Sequence, residues 1–338
     1  MLPNHHIADT ASLPSPNASV ETFPVRVSHK QHEALDICRI EFTSLDGSPL
    51  PAFSAGAHID VHLPNGLMRQ YSLCNAPSET HRYVIGVLKD PATRGGSKAL
   101  HELIHPGSVL QISAPKNRFA LDPNAKHSIL VAGGIGVTPL LSMAEMLTTN
   151  GQDFQMHYAT RSPERAAFRE HICASKYAHR VHFYFDDGPS EHQLNLGHVV
   201  AERGNDDHLY VCGPGGFIEA VLSAARSHGW PDEQLHREFF KSDAAQQAAD
   251  TSFEVQLASS GRVITIPADK SVLETLAEAG IELPASCEQG TCGTCLTHLL
   301  SGEPDHRDTY LTPQEQAAND RFMPCCSRAK SQRLVLDL

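Results

Sequence analysis

Short apolar segments separated by turn sequences make up the first third of the chain. β-Branched and aromatic residues dominate each segment, and turn signals such as Asp46-Gly47 and Pro64-Asn65-Gly66 stand between them. The predicted strands span residues 25–27, 37–42, 58–63, 70–74, 83–88 and 109–112. Many short strands at regular spacing predict a small antiparallel β-barrel.

The pattern changes at Ser128, where a continuous apolar run over residues 128–132 enters a glycine-rich turn and then a helical stretch to about Leu147. This order is typical of a buried parallel strand, a turn and a helix. Further strands are predicted at residues 154–160, 181–185 and 209–212, with helical segments between them. Alternating strands and helices predict a doubly wound α/β sheet.

A polar, alanine-rich bridge then leads to a third unit. Residues 253–257 and 262–266 predict a hairpin, and a helix is expected from Ser271, which forms a capping box with Glu274 and precedes the stop signal Gly280. A last strand is predicted at residues 334–338. The predicted divisions are a flexible tail 1–22, a barrel 23–121, an α/β domain 122–242, a linker 243–251 and an α+β unit 252–338.

Three cysteines of the third unit stand at C-x4-C-x2-C spacing, namely Cys287, Cys292 and Cys295, and Cys325 follows later. This is the ligand pattern of plant-type [2Fe–2S] proteins. Zinc ribbons instead present paired C-x2-C knuckles, and an odd count of 9 cysteines disfavours a disulfide framework. Cys326 adjoins Cys325. It would be the fourth ligand instead if the chain were shifted by one residue at this point.

Two glycines lie inside this cysteine loop. Gly290 and Gly293 stand where the backbone is expected to pass close to inorganic sulfide and to direct its N–H groups inward, without a Cβ in the way. Their placement favours the iron–sulfur interpretation beyond what cysteine spacing alone supports.

Composition limits the function classes. The chain of 338 residues exceeds the size of most single cores, so two or three domains are expected. A net charge of −12 argues against binding nucleic acid through its phosphates. There is neither an apolar run long enough to span a bilayer nor a secretory pattern in the first two dozen residues, so a cytoplasmic location is expected. A monomer is also expected, although no feature of the sequence carries that expectation.

Two glycine-rich turns follow predicted parallel strands, at residues 133–139 and 212–216. Each offers backbone N–H groups and a helix N-terminus to a pyrophosphate at the carboxyl edge of the sheet. The first lacks a complete G-x-G-x-x-G and is a weak signal alone, and either turn by itself is explained by packing. Both together predict a dinucleotide site.

Two segments of the barrel region predict an anion site. Arg69, Tyr71 and Ser72 are expected to project from one face of a strand, where they would neutralise a phosphate, cover an aromatic ring and bond its heteroatoms. The alternative is an exposed strand of common pattern. Residues 94–97, Arg94-Gly95-Gly96-Ser97, precede a helix predicted at 98–104 and form a second anion cradle.

Five motifs together resemble a known family. Residues 69–75, 93–97, 130–139 and 210–215 and the cysteine set occur in the order seen in phthalate dioxygenase reductases, and the chain also resembles vanillate demethylase reductase subunits. The likeness runs from about Phe23 to Leu338. It implies an antiparallel β-barrel that binds FMN, a doubly wound α/β domain that binds NAD, and an α+β plant-type ferredoxin domain of β-grasp fold.

The resemblance also implies roles for individual residues. Ser72, Cys212 and Phe240 are expected nearest the reacting rings. The expected ligands of FMN are Arg69, Tyr71, Ser72, Leu73, Gly95, Gly96 and Ser97; those of the nicotinamide cofactor are Gly134, Thr138, Cys212, Gly213 and Pro214; and those of the cluster are Cys287, Cys292, Cys295 and Cys325.

The function that follows is electron transfer from NADH through FMN and [2Fe–2S] to a Rieske-type aromatic oxygenase or demethylase. NADH gives a hydride and the cluster takes one electron, so FMN is needed between them. FMN over FAD follows from the cradle at 94–97, and NADH over NADPH from Asp186-Asp187, which would repel a 2′-phosphate. The alternatives are an FAD reductase that serves a haem monooxygenase, and a redox sensor without turnover.

The charge of the third unit bears on its partner. Residues 252–338 carry 7 Lys or Arg and 12 Asp or Glu, a net charge of −5. The sequence therefore predicts a basic docking patch on the protein that receives the electrons.

Overall fold

Three large β-sheets follow one another along the described part of the chain, each within one of the predicted units, and a two-stranded sheet accompanies the third. The computed structural model describes residues 22–90, 95–201, 203–240, 250–285 and 287–338. Most of the predicted N-terminal tail, residues 243–249 of the predicted linker, and Arg94 of the predicted anion cradle lie outside these ranges.

The first sheet is antiparallel and closes on itself. Its strand order is β4-β3-β6-β1-β2-β5, with β7 beside β3. Leu73, directly after β4, bridges to Ile85 in β5, and the Cys74 amide donates to the Val84 carbonyl at 2.9 Å. One helix, α1 (Gly96–Glu102), follows the fifth strand. The strands are β1 Thr22–Ala34, β2 Ile37–Ser44, β3 Ala57–His62, β4 Met68–Ser72, β5 Tyr83–Leu88, β6 Val109–Ser113 and β7 Lys116–Asn117.

Strand β1 is much longer than the predicted 25–27 because it serves two partners. Residues 22–26 of β1 pair with β6, and residues 25–34 pair with β2. The pairing with β2 has register shifts between Val27 and His29 and between His32 and Ala34. Such bulges bend a strand and interrupt the alternation of apolar and polar residues. The hydrophobic pattern therefore showed only the segment before the first bulge.

The second sheet is parallel, with strand order β10-β9-β8-β11-β12. Its core has two parts, one under α2 and the other under α4 and α5, so helices cover both faces. The edge strand β12 is not among the strands predicted from the sequence. The elements are β8 His127–Gly133, α2 Val137–Thr149, β9 Asp153–Thr160, α3 Arg169–Ala174, β10 Val181–Phe185, α4 Leu196–Ala201, β11 Asp207–Gly213, α5 Gly215–Ser227 and β12 Leu235–Phe239.

The third unit is a mixed sheet with order β14-β13-β19-β15-β17 and a separate pair, β16 with β18. Helix α6 has the predicted capping box between Ser271 and Glu274, and Gly280 follows it with φ of 81°. The elements are β13 Phe253–Leu257, β14 Val263–Ile266, α6 Val272–Glu278, β15 Thr297–Ser301, β16 Pro304–Asp305, α7 Pro313–Ala318, β17 Arg321–Phe322, β18 Arg328–Ala329 and β19 Arg333–Leu336. Among the described residues, no helix is long and apolar enough to cross a membrane.

The first two units pack through Gly86 in β5. A Cβ at this position would lie 2.9 Å from the Thr138 methyl group and 3.0 Å from the Phe168 ring. Nearby, the Glu33 carboxylate accepts a hydrogen bond from the Phe168 amide at 2.9 Å. These contacts hold the start of α2 against the barrel.

Candidate functional site

A large cavity lies where the three units meet. Its volume is about 1510 Å³, and all three units contribute residues to its wall. The predicted site residues that line it are Arg69, Tyr71, Ser72, Ser97, Thr138, Phe240, Cys287, Cys292 and Cys325. The structure thus brings together most of the side chains that the sequence motifs singled out.

The barrel wall of this cavity comes from β4. Tyr71 packs against the barrel core and Leu73 is fully buried in it. Ser72 points the other way, opposite His58 in β3, and donates a hydrogen bond to the Glu238 carboxylate at 3.4 Å. The prediction that Arg69, Tyr71 and Ser72 share one face is wrong, because successive side chains of a strand alternate. All three nevertheless line the cavity.

His58 is a cavity residue that the sequence analysis missed. It is buried, and its Nε2 atom has no hydrogen-bond partner among the described residues. Burial lowers the pKa of this imidazole to about 4, so the ring is neutral. A buried, unpartnered ring nitrogen on the wall marks a place where a bound group would supply the missing partner.

The start of α1 forms the end of the cavity at which the sequence predicts an anion site. A Cβ on Gly96 would come within 2.8 Å of the Arg69 Cγ atom and 2.9 Å of its Nε atom, so only glycine lets the arginine lie across this backbone. Gly95 has φ of 103°, in the region that favours glycine. The Ser97 hydroxyl accepts from the Asp90 amide at 3.2 Å. Arg69 also lies 3.5 Å from the Glu288 carboxylate of the cysteine loop.

The two glycine-rich turns touch each other. Strands β8 and β11 pair directly, with Ala132 opposite Cys212. A Cβ on Gly136 would lie 2.2 Å from the Cys212 carbonyl oxygen, so the two backbones can approach only with glycine here. Pro214 caps α5, and Thr138 at the start of α2 reaches the cavity. Four predicted residues of the described chain do not line the cavity, namely Gly134, Cys212, Gly213 and Pro214.

Glu238 is an acidic residue that the α/β sheet contributes to the cavity wall. It is half-buried in β12, directly opposite Cys212 of β11, and its carboxylate accepts from Ser72. Burial raises the pKa of Glu238 to about 8. Burial, with a smaller contribution from Glu238, also raises the pKa of the Cys212 thiol. Phe240 lies just beyond β12 and packs against the core under α2.

The four motif cysteines are buried and form two pairs. A hydrogen bond between sulfurs joins Cys287 to Cys292 and lowers the pKa of Cys292 to about 6. Another joins Cys295 to Cys325 and lowers the pKa of Cys325 to about 4. In the described part of the chain no three His, Cys, Asp or Glu side chains converge as ligands of a single ion. Two pairs fit a binuclear cluster, in which each iron takes two protein ligands.

Cys326 lies beside this arrangement, and its sulfur forms a hydrogen bond with that of Cys325 but none with a cysteine of the C-x4-C-x2-C loop. Its sulfur contacts the Met323 carbonyl and the Ser327 hydroxyl, both at 3.8 Å. A Cβ on Gly290 would lie 2.4 Å from that sulfur. This placement favours Cys325 over Cys326 as the fourth ligand.

Gly290 and Gly293 have φ of 72° and 73°, which L side chains rarely adopt. Gly290 is crowded by Cys326 and Asp308, and a Cβ on Gly293 would fall 2.2 Å from the Tyr310 ring. The requirement for glycine therefore arises from backbone conformation and from protein neighbours that press on the loop.

Two family models match separate parts of the chain. The 2Fe-2S iron-sulfur cluster binding domain matches residues 255–330, which include all four motif cysteines. The N-terminal domain of dimethylamine monooxygenase subunit DmmA-like proteins matches residues 112–235, which include both glycine-rich turns.

Three relatives cover nearly the whole chain. Vanillate O-demethylase oxidoreductase of Pseudomonas putida is 55% identical over 92% of this chain and 98% of its own length. The solved structure of phthalate dioxygenase reductase, described as modular for electron transfer from pyridine nucleotides to [2Fe–2S], is 40% identical with a TM-score of 0.78, over 94% of this chain and 98% of its own. An intact type IV self-sufficient cytochrome P450 monooxygenase is 37% identical with a TM-score of 0.74, over 94% of this chain and 41% of its own.

Proposed function

The chain belongs to the phthalate dioxygenase reductase family, and on that premise we propose that it carries electrons from NADH through FMN and a [2Fe–2S] cluster to the terminal oxygenase of a Rieske-type demethylase system. The family is the one that the five sequence motifs predict, and the chain is an electron-transfer oxidoreductase. The observation that carries the proposal is the single cavity on which the barrel, the α/β sheet and the cysteine loop meet.

The barrel side of the cavity suits FMN. When bound, FMN accepts a hydride and releases electrons one at a time. Arg69, held across Gly96, offers a guanidinium group to the terminal phosphate, and Ser97 adds a hydroxyl. Tyr71 and Ser72 would contact the ring system with their side chains, and Leu73 would contact it through its backbone. The Nε2 atom of His58, which has no hydrogen-bond partner among the described residues, could form a hydrogen bond with the bound flavin.

The α/β side suits the nicotinamide cofactor. Gly134 and Thr138 at the start of α2, and the Cys212-Gly213-Pro214 turn at the start of α5, lie together at the carboxyl edge of the sheet. Asp186 and Asp187 are exposed directly after β10. Their carboxylates favour NADH, because they would repel the additional phosphate of NADPH.

The cysteine loop suits the cluster, with Cys287, Cys292, Cys295 and Cys325 as ligands. Cys287, Cys292 and Cys325 face the cavity, and Cys295 is buried behind them among the described residues. The cluster would therefore have one edge toward the flavin side. This position fits an acceptor of single electrons next to FMN.

Glu238 gives the cavity a group that holds a proton. Because its pKa is raised to about 8, the carboxyl is protonated at neutral pH and hydrogen-bonds with Ser72. A neutral side chain here places no negative charge beside a ring that receives a hydride. Ser72, Cys212 and Phe240 would then serve to position the two rings.

The partner and setting follow from charge and chemistry. An acidic third unit suits a basic surface on the oxygenase. All nine cysteines are free thiols, which fits the reducing conditions of the cytoplasm. We place the protein there as a monomer.

The function is tested with purified protein that is titrated with NADH under anaerobic conditions. Released FMN, acid-labile sulfide and bleaching of both the flavin and cluster bands would support the proposal. Addition of a Rieske oxygenase component that demethylates vanillate should then couple NADH consumption to product. If NADH consumption were coupled to a haem monooxygenase instead, the chain would serve a haem enzyme, as the similarity to the cytochrome P450 monooxygenase allows. A protein that NADH does not reduce would contradict the proposal.

Arg69→Gln is expected to weaken FMN binding about 10- to 100-fold, because it removes the charged donor to the phosphate. Flavin content after dialysis and titration of the apoprotein with FMN measure the loss. Arg26→Gln makes the same charge change on the exposed face of β1 and should bind FMN as the natural chain does. Equal FMN affinity for both variants would show that Arg69 does not hold the phosphate.

A further inference from the structure

One contact joins the barrel to Tyr310, a residue between β16 and α7 that packs against the cysteine loop. The Arg118 guanidinium carbon lies 5.3 Å from the centroid of the Tyr310 ring. This distance is within the range in which an arginine is attracted to an aromatic face. Both side chains line the cavity.

The structure holds Tyr310 on the cysteine loop. Its ring lies so close to Gly293 that a Cβ there would come within 2.2 Å of it. On either side of the tyrosine, the Thr309 amide donates to the Gly290 carbonyl at 3.1 Å and the Leu311 amide donates to the Asp308 carboxylate at 2.8 Å. Displacement of the ring therefore displaces the loop that carries the cysteines.

Arg118 is fixed to the barrel in a similar way. The Asn117 side chain accepts from the Phe119 amide at 3.0 Å and donates to the Ser54 hydroxyl at 2.7 Å. A Cβ on Gly56 would overlap the Phe119 carbonyl, so the backbone after Arg118 packs tightly on the barrel. The backbone at each end of the contact is thus anchored in its own unit, and the two exposed side chains meet between the units.

From this arrangement we propose that Arg118 and Tyr310 are a positioning pair, which sets the distance between the flavin side of the cavity and the cluster. The inference rests on the proposed function. In the step concerned one electron leaves the reduced flavin and enters the oxidised cluster, and no bond forms or breaks. The rate of such a step falls steeply as the distance between the two groups increases. A contact that holds the two units together therefore raises the fraction of molecules in which the electron can be transferred. The Arg69–Glu288 contact at 3.5 Å supports the same loop position.

The experiment follows flavin and cluster absorption separately after the holoenzyme is mixed rapidly with NADH. The variants are Arg118→Gln, Tyr310→Leu and the double variant, with Tyr310→Phe as the conservative variant and Arg26→Gln as the matched charge control. Iron and flavin contents are measured for each protein. The rates are repeated at high salt, because a packed cation and ring are less sensitive to salt than a steering charge.

We expect each single variant to slow cluster reduction about two- to fivefold while flavin reduction by NADH is unchanged. The double variant should be no slower than the slower single variant, and Tyr310→Phe should match the natural chain because the ring is retained. The proposal would be overturned if the cluster of Arg118→Gln were reduced at the natural rate. It would also be overturned if the effects of the two single variants multiplied in the double variant. A natural chain whose cluster NADH never reduces would instead contradict the proposed function, so the two failures are distinguishable.

Discussion

Cys325→Ser is expected to remove the [2Fe–2S] cluster and to abolish NADH-driven reduction of a one-electron protein acceptor, a loss of more than about 100-fold. Cys326→Ser is expected to retain both. The reason is that the sulfur of Cys325 bonds with that of Cys295 in the cysteine loop, whereas the sulfur of Cys326 bonds only with Cys325 among the cysteines and contacts Met323 and Ser327. Serine at the first position leaves one iron with a single cysteine ligand.

The matched pair is measured by iron and sulfide content, by low-temperature electron paramagnetic resonance of the reduced protein, and by two activities. Reduction of a small acceptor that takes electrons from the flavin should persist in both variants, which shows that the rest of the chain is folded. Reduction of a protein acceptor should be lost only in Cys325→Ser. The reverse result would mean that the chain uses Cys326 and that the loop shifts by one residue when iron binds.

Periodicity predicted several strands with their bounds, including residues 83–88, 181–185 and 253–257. In each of these, an apolar run ends at a turn sequence, so both limits are local. The capping box at Ser271 and Glu274 is local in the same sense, and the structure has it. Features that depend on a few neighbouring residues can be read from sequence.

Features that depend on distant partners were missed. Strand β12 (Leu235–Phe239) is an edge strand with polar residues, and pairing with β11 makes it a strand. The direction of Ser72 was also predicted wrongly, although alternation along a strand determines it. That error arose because the side chains of one motif were assumed to lie on one face of the strand. The sequence itself contained the information needed to place Ser72 on the opposite face from Tyr71.

The candidate site divides in the same way. Cysteine spacing and the glycine turns are compact motifs, and the chain brings them to one cavity. Glu238 meets Ser72 across 166 residues, and Arg118 meets Tyr310 from another unit. A single sequence holds no signal that joins such residues, because their proximity is created only when the units pack.

Glu238→Gln is expected to remove a pH transition near 8 from flavin reduction by NADH. Below that pH the natural carboxyl is protonated and neutral. Above it the carboxylate places a negative charge in the cavity and opposes addition of a hydride, so the natural rate should fall about tenfold as the pH rises. Glutamine stays neutral, so the variant should keep a constant rate across this range. Cys212 does not titrate there, since burial raises the pKa of its thiol well above the ordinary value.

Stability gives an independent readout of the same carboxyl. Burial raises the folded-state pKa of Glu238 from 4.5 to about 8, so between these values the folded chain keeps a proton that the unfolded chain releases. The free energy of unfolding should therefore decline as pH rises through this window and level off above it. Glu238→Gln should remove this part of the decline, which unfolding by urea at a series of pH values would measure. Glu233→Gln changes an exposed carboxylate and should leave both pH dependences as in the natural chain. If Glu238→Gln keeps the transition in the rate and the decline in stability, another group of the cavity titrates near 8 and Glu238 is ionised at neutral pH.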